Sequence, residues 1–187
     1  SSDLNVVYGT SPTFYIKHKE ALSKQVDCKS PVLCVQQFVP LPDKNGRIVE
    51  PIVVCGCLDG KIHVYTRDSL ELLNTIDCHK DAVNSIKVFQ PKGETLIILI
   101  SGSKDGSCVV SIALGRRVGN LLGHTDSISS IDIFEQYERD TMIITSSHDG
   151  SVCVWSLTSR DLLRKICVDN GDGGSVLKAS IFASDDV

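Results

Sequence analysis

The sequence has no excess of positive charge: 19 Lys+Arg stand against 23 Asp+Glu, for a formal net charge of −4. A general nucleic-acid binder needs a strongly basic face, so the mild acidity argues against that class and no nucleic acid is expected as a partner. Long apolar runs are missing too. The longest, Leu96 to Ile100, has five residues, against the roughly 20 that a membrane-spanning helix needs. Ser1-Ser2-Asp3-Leu4 shows no basic stretch followed by an apolar one, so no secretory signal is visible there. No paired carboxylates, metal cluster, nucleotide-binding loop or Gly-x-Ser-x-Gly elbow occurs. No stretch keeps a helical apolar period.

Cysteine is present but thinly spread. Eight in 187 residues fall well short of the roughly 8 to 10% typical of disulfide scaffolds. Cys34, Cys55, Cys57, Cys108, Cys153 and Cys167 lie in strand-like apolar runs, where a free thiol behaves as a small buried hydrophobe. The expectation is reduced thiols in a reducing, intracellular compartment, cytoplasm or nucleus. Cys55-x-Cys57 would offer at most two ligands from one strand face. No second pair at zinc spacing accompanies it, so neither metal nor cofactor is expected.

What the chain does have is a repeat. Asp59-Gly60, Asp105-Gly106 and Asp149-Gly150 each separate two strand-like runs. Asp-Gly in that setting marks a tight hairpin, because it tolerates positive φ. His79 and His124 are each followed two residues later by an Asp, and then by Ala82–Phe89 and Ser127–Phe134. Pro31–Phe38 and Ser175–Phe182 fit the same eight-residue pattern ending in Phe. The period is roughly 45 residues, with four short strands per unit. In the best copy the expected strands are 128–134, 141–147, 152–157 and 161–168. Four antiparallel strands repeated at this period build the blades of a β-propeller.

These residues make the chain resemble a WD-repeat β-propeller. The copy from Gly123-His124 through Asp149-Gly150 to Trp155-Ser156 carries the motif best, with Ser156 where the family usually has Asp. The resemblance implies an all-β fold of about four four-stranded antiparallel blades. These would be a part of a larger, roughly seven-bladed ring. Repeats are expected at about 1–27 (partial), 28–77, 78–122, 123–168 and 169–187. The ring would be completed by the rest of a longer chain or by another subunit.

The family's buried tetrad maps onto His124, Ser147, Asp149 and Trp155 in the third full repeat. The second supplies His79, Ser103 and Asp105, with Ser111 replacing the Trp. In the first, Cys28, Cys57, Asp59 and Tyr65 take the four places and only the Asp is kept. His124, Ser147 and Asp149 are also the residue types of a hydrolase triad. Their recurrence at His79, Ser103 and Asp105 makes them structural instead, because an enzyme has no reason to repeat its triad in every blade.

By the same resemblance, a top face would be formed by Leu58, Lys104 and His148 from the turns. Pro31, Leu33, Ala82, Asn84, Ser127, Ser129, Ser175 and Leu177 would join them from the inner strands. The implied function is a non-enzymatic scaffold that binds peptide or helical segments of other proteins through this face and its blade edges. A second reading, an anion- or phosphoinositide-binding propeller acting at membranes, would use Arg116-Arg117, whose flanking residues depart from the lipid-binding motif of one propeller subfamily.

Overall fold

A computed structural model describes residues 5–7, 13–17, 24–42, 46, 49–135, 140–168 and 174–180. These residues form strands and turns, and no helix occurs among them. A three-stranded sheet holds β1 (Asn5–Val7), β2 (Thr13–Lys17) and β3 (Lys24–Asp27). The first four-stranded sheet is β4 (Val32–Phe38), β5 (Ile52–Cys57), β6 (Lys61–Thr66) and β7 (Leu72–Asp77). The second is β8 (Val83–Phe89), β9 (Ile98–Ser103), β10 (Cys108–Ile112) and β11 (Arg117–Leu121). The third is β12 (Ile128–Phe134), β13 (Met142–Ser147), β14 (Ser151–Ser156) and β15 (Leu162–Cys167). Each four-stranded sheet is an antiparallel meander whose strands pair in sequence order. Three such blades follow one another along the chain.

Both faces of the central strands are buried, and the period of two sorts their side chains between neighbours. From β5, Ile52 and Val54 enter a core shared with Val83, Ile86 and Leu99 of the second blade. The alternating Val53, Cys55 and Cys57 enter a separate core with Cys28 and Tyr65. In β9, Leu99 faces back toward the first blade, while Ile100 joins Ile128, Ile143 and Trp155 of the third. This explains why the second strand of each blade opens on consecutive apolar residues, Ile52–Cys55, Ile98–Ile100 and Met142–Ile144. The outermost strand differs: every residue of β15 is exposed.

Close approach between blades is set by glycine. A Cβ on Gly56 would lie 2.7 Å from Val83 Cγ1 and 2.9 Å from Ile86 Cδ1 of the next blade. One on Gly102, at the equivalent place in β9, would lie 2.4 Å from Ile128 Cγ2. The third blade has Ser146 there, its hydroxyl hydrogen-bonded with those of Ser129 (2.9 Å) and Ser130 (2.7 Å). The segment 174–180 lies against it, with Ala179 where the other blades present Ile86 and Ile131. Its Ala179 amide donates to Ser130 Oγ at 3.1 Å.

Segment 174–180 carries a correction. The pattern predicts a strand over 175–182, yet 174–180 is not extended into a ladder. Its polar groups are met singly instead. The Val176 amide donates to the Ser147 carbonyl at 3.0 Å, and the Val176 carbonyl accepts from Ser129 Oγ. Phe182 lies outside the described residues. The cysteines carry another. All eight are free thiols, but Cys167 is exposed because it closes the outermost strand. Cys28 and Cys78 are buried although they lie outside the apolar runs.

Candidate functional site

The three Asp-Gly turns have one geometry. Gly60, Gly106 and Gly150 take φ of 82°, 80° and 76°, values that glycine adopts without steric cost. Each donates its amide back to the last residue of the preceding strand, Cys57, Ser103 or Ser147. Each turn is then tied to the strand that enters its blade. The amides of Leu58, Lys104 and His148 donate to the carbonyls of Pro31 (2.8 Å), Ala82 (2.9 Å) and Ser127 (2.9 Å). One rim of the three blades therefore presents Leu58, Lys104 and His148, all exposed, on backbone fixed at both ends.

Other residues expected on that rim behave differently. Ala82 and Ser127 are buried, at 2% and 6% exposure, because their carbonyls form the tie to the turn. Asn84 and Ser129 are half-buried and spent on the next blade. Asn84 Nδ2 donates to Ser127 Oγ (3.0 Å) and to the Ile128 carbonyl (3.2 Å), and Ser129 to the Val176 carbonyl. Leu33, the equivalent residue of the first blade, is also half-buried, and Cys34 beside it donates to the Val83 carbonyl at 3.4 Å. Pro31 is half-buried, while Ser175 and Leu177 are exposed. The open part of the expected face is thus Leu58, Lys104, His148, Ser175 and Leu177, with Pro31 and Leu33 at its margin.

Beneath the rim lies a polar network. In the third blade Trp155 Nε1 donates to Thr145 Oγ1 at 2.9 Å, and Thr145 meets His124 Nε2 at 2.8 Å. His124 Nδ1 lies 3.1 Å from Asp149 Oδ2. One proton arrangement satisfies every member: the indole donates to the hydroxyl, the hydroxyl to Nε2, and Nδ1–H to the carboxylate. The hydroxyl is Thr145, not Ser147. Thr145 shares a strand face with Ser147 but lies two residues deeper, level with His124 and Trp155. Ser147, at the strand end, donates to the Asp126 carbonyl (2.9 Å) and accepts from the Asp149 amide (3.1 Å). Burial alone would raise the Asp149 carboxyl. Bonds from Ser151, the Thr125 amide and His124 outweigh it and hold the group well below the usual carboxylate range.

The second blade makes the same correction. His79 Nε2 meets Ser101 Oγ at 2.7 Å, while Ser103 donates to the Asp81 carbonyl at 2.9 Å. His79 reaches Asp105 through a relay, with Nδ1 2.7 Å from Ser107 Oγ and Ser107 donating to Asp105 Oδ1 at 2.6 Å. Desolvation by burial lowers the His79 pKa to about 4, so its imidazole is neutral. Two substitutions offset each other here. In the third blade a Cβ on Gly123 would lie 2.8 Å from Trp155. In the second, Ser111 replaces the Trp and Cys78 replaces that glycine, its Sγ reaching to 4.0 Å from Ser101 Oγ. The Ser111 hydroxyl is buried without a partner.

In the first blade, Asp59 keeps its place in the turn and accepts from the Lys61 amide at 3.2 Å. Ser30 takes over the task of Ser103 and Ser147, accepting from the Asp59 amide at 3.1 Å. Cys28, Cys55, Cys57 and Tyr65 are buried together. Arg116 sits exposed in the turn before β11. Arg117 opens that strand, and its Nε donates to Asn120 Oδ1 at 2.9 Å. It lines a cavity of about 380 Å³ with Asp77, Lys80, Asp105 and Ser107, so two carboxylates share the space with the guanidinium.

Repeated four-stranded antiparallel sheets, with an Asp–His–hydroxyl network under the second and third turns that a Trp completes in the third, are those of β-propeller blades. The family model described as WD domain, G-beta repeat, matches residues 70–110 and 115–156. These two stretches are WD repeats, which supports a WD-repeat family for the chain. Each match starts in the outermost strand of one blade and ends in the third strand of the next. No curated protein matches the chain. Members of this family are in general non-enzymatic scaffolds that bind other proteins, and no described helix is long and apolar enough to cross a membrane.

Thr145→Val strands both the His124 and Trp155 partners and should cost at least about 2 kcal/mol in urea unfolding. Ser147→Ala should cost only about 1 kcal/mol; equal losses would contradict the assignment. The His79 shift sets a pH dependence. The unfolded chain takes up this proton near 6.5 and the folded one near 4, so stability falls as pH falls through that window. The loss reaches about 3 kcal/mol. Thermal unfolding of His79→Asn should show a flatter profile between those pH values than the parent.

Proposed function

We propose that this chain is a non-enzymatic interaction scaffold whose rim residues Leu58, Lys104 and His148, with Ser175 and Leu177 beside them, hold a peptide or helical segment of a partner protein. The observation that carries this reading is the repeated tie from turn to entering strand. It leaves three side chains exposed on immobile backbone, so a partner avoids part of the ordering cost of binding. One aliphatic, one cationic and one imidazole side chain suit a moderately apolar segment with acidic groups better than a phosphate or a quaternary amine. The eight free thiols support a reducing compartment, cytoplasm or nucleus. We also propose that further blades, from the rest of a longer chain or from another subunit, complete the ring. The phosphoinositide reading has less support, because Arg117 is shared with Asn120 and faces two carboxylates.

Combining Leu58→Asp, Lys104→Glu and His148→Glu should lower capture of partners from cells by about tenfold or more. The melting temperature should stay within a few degrees of the parent, since all three side chains point to solvent. Partners that survive this variant, but are lost when exposed residues of β15 are changed, would overturn the assignment to the rim.

A further inference from the structure

The first blade departs from the other two in one chemical respect. Where they place His79 and His124, it places Cys28; where they place Ser101 and Thr145, it places Cys55; and Cys57 stands at Ser103 and Ser147. Hydroxyls and imidazole are replaced by three thiols. All three are buried in one cluster with Tyr65, at 4% exposure for Cys28 and none for Cys55 and Cys57. Cys28 Sγ lies 3.5 Å from the Tyr65 hydroxyl, and Cys55 and Cys57 are buried in the same cluster. His63 stands beside the cluster. Its Nδ1 is bonded to Thr75 Oγ1 at 3.0 Å, and its Nε2 is buried with no partner.

We propose that this cluster is a redox site in which Cys28 and one thiol of β5, Cys55 or Cys57, close to a disulfide under a two-electron oxidant such as hydrogen peroxide. In the first step the Cys28 thiolate attacks one peroxide oxygen. A sulfur–oxygen bond forms, the oxygen–oxygen bond breaks, and the hydroxide released takes up a proton as water. In the second, the β5 sulfur attacks the Cys28 sulfenic sulfur. The sulfur–sulfur bond forms and hydroxide leaves, taking the thiol proton as a second water. Two thiols and one peroxide give one disulfide and two waters.

The arrangement provides each part this sequence needs. The neighbouring thiols of Cys55 and Cys57, and then the Tyr65 hydroxyl with the field of His63, hold the Cys28 thiol below its ordinary range, which favours it as the attacking group. Burial pushes Cys55 up and the neighbouring Cys28 pushes Cys57 up, so the two resolving groups keep their protons until Cys28 is oxidised. Among the described residues no group of three His, Cys, Asp or Glu side chains is placed to hold a metal ion. The disulfide would tie the connection between β3 and β4 to the second strand of the blade, closing a loop that contains all of β4. That connection enters the first turn next to Ser30 and Pro31, so the bond would stiffen the rim at Leu58. This proposal does not rest on the scaffold reading.

The test is graded peroxide treatment of the folded chain, quenched with N-ethylmaleimide in denaturant and mapped without reduction. The expected product joins the peptide of Cys28 to that of Cys55 or Cys57, with a mass lower by two hydrogen atoms, and is reversed by dithiothreitol. Cys28 should lose alkylation at least about tenfold faster than Cys34. Cys34 is the more exposed of the two, but burial of its thiol group pushes its pKa up to about 12. The exposed Cys167 should react without gaining an intramolecular partner. Cys55→Ser and Cys57→Ser, taken singly, identify the resolving thiol, and together they should abolish the crosslink. Loss of Cys34 before Cys28, a Cys28 that ends as sulfinic acid, or crosslinks scattered among the other cysteines would overturn the proposal. These readouts are taken on the parent chain and are independent of partner capture.

Discussion

The blades are held together by a contact that depends on a missing atom. Gly56 and Gly102 leave room on the second strand of one blade for Val83 and Ile128, the first inward residues of the next. With any side chain there, adjacent blades could not approach to this distance, and the cores that join them would open. Packing at interior density makes such contacts steep in energy. The third blade has Ser146 at this place, its hydroxyl hydrogen-bonded with those of Ser129 and Ser130, and the adjoining segment 174–180 is not a strand. Everything else hangs from the glycine contact, because it fixes the first strand of each blade, and the turn of each blade is bonded to that strand.

The polar network beneath each turn obeys a similarly loose rule. Asp149, His124, Thr145 and Trp155 form a direct chain of bonds. Asp105 reaches His79 only through Ser107, and the first blade substitutes thiols and a phenol. What is kept in all three is the tie between turn and entering strand, through Pro31, Ala82 and Ser127. The network can vary in chemistry because its structural duty is to hold the connection into each blade against the second strand. That freedom allows a chemically distinct cluster to sit in the first blade while the rim above it keeps its geometry.

The fold was legible in the sequence because its strongest signal, Asp-Gly at a regular interval between apolar runs, is a local one. The strand expected over 128–134 has those bounds, and the others of that blade differ by a residue or so at their ends. Three features were not legible. Counting back from the turn suggested Ser147 and Ser103 for the network, whereas the histidines reach Thr145 and Ser101, two residues deeper on the same strand face, and the strand-end serines bond backbone carbonyls instead. Ala82 and Ser127 sit in positions that face the rim, yet their carbonyls are used by the turn and their side chains are covered. Cys167 has the composition of its neighbours in apolar strands, but it ends an outermost strand, and edge position cannot be read from residue type. The compensating pairs, Gly123 with Trp155 and Cys78 with Ser111, become visible only when the blades are superposed position by position.

The most direct test of this account is a double-mutant cycle across the second and third blades, with Gly102→Ala and Ile128→Ala alone and together. The first should destabilise by overpacking, about 1 to 3 kcal/mol, and the second by leaving a cavity, about 2 to 5 kcal/mol. If the blades are joined by matched volumes, the added methyl fills part of the cavity. The double variant should then lose less than the two losses combined by at least about 1 kcal/mol. Additive losses in equilibrium unfolding would show that the two residues do not share a contact, and would contradict the account of how the blades are held.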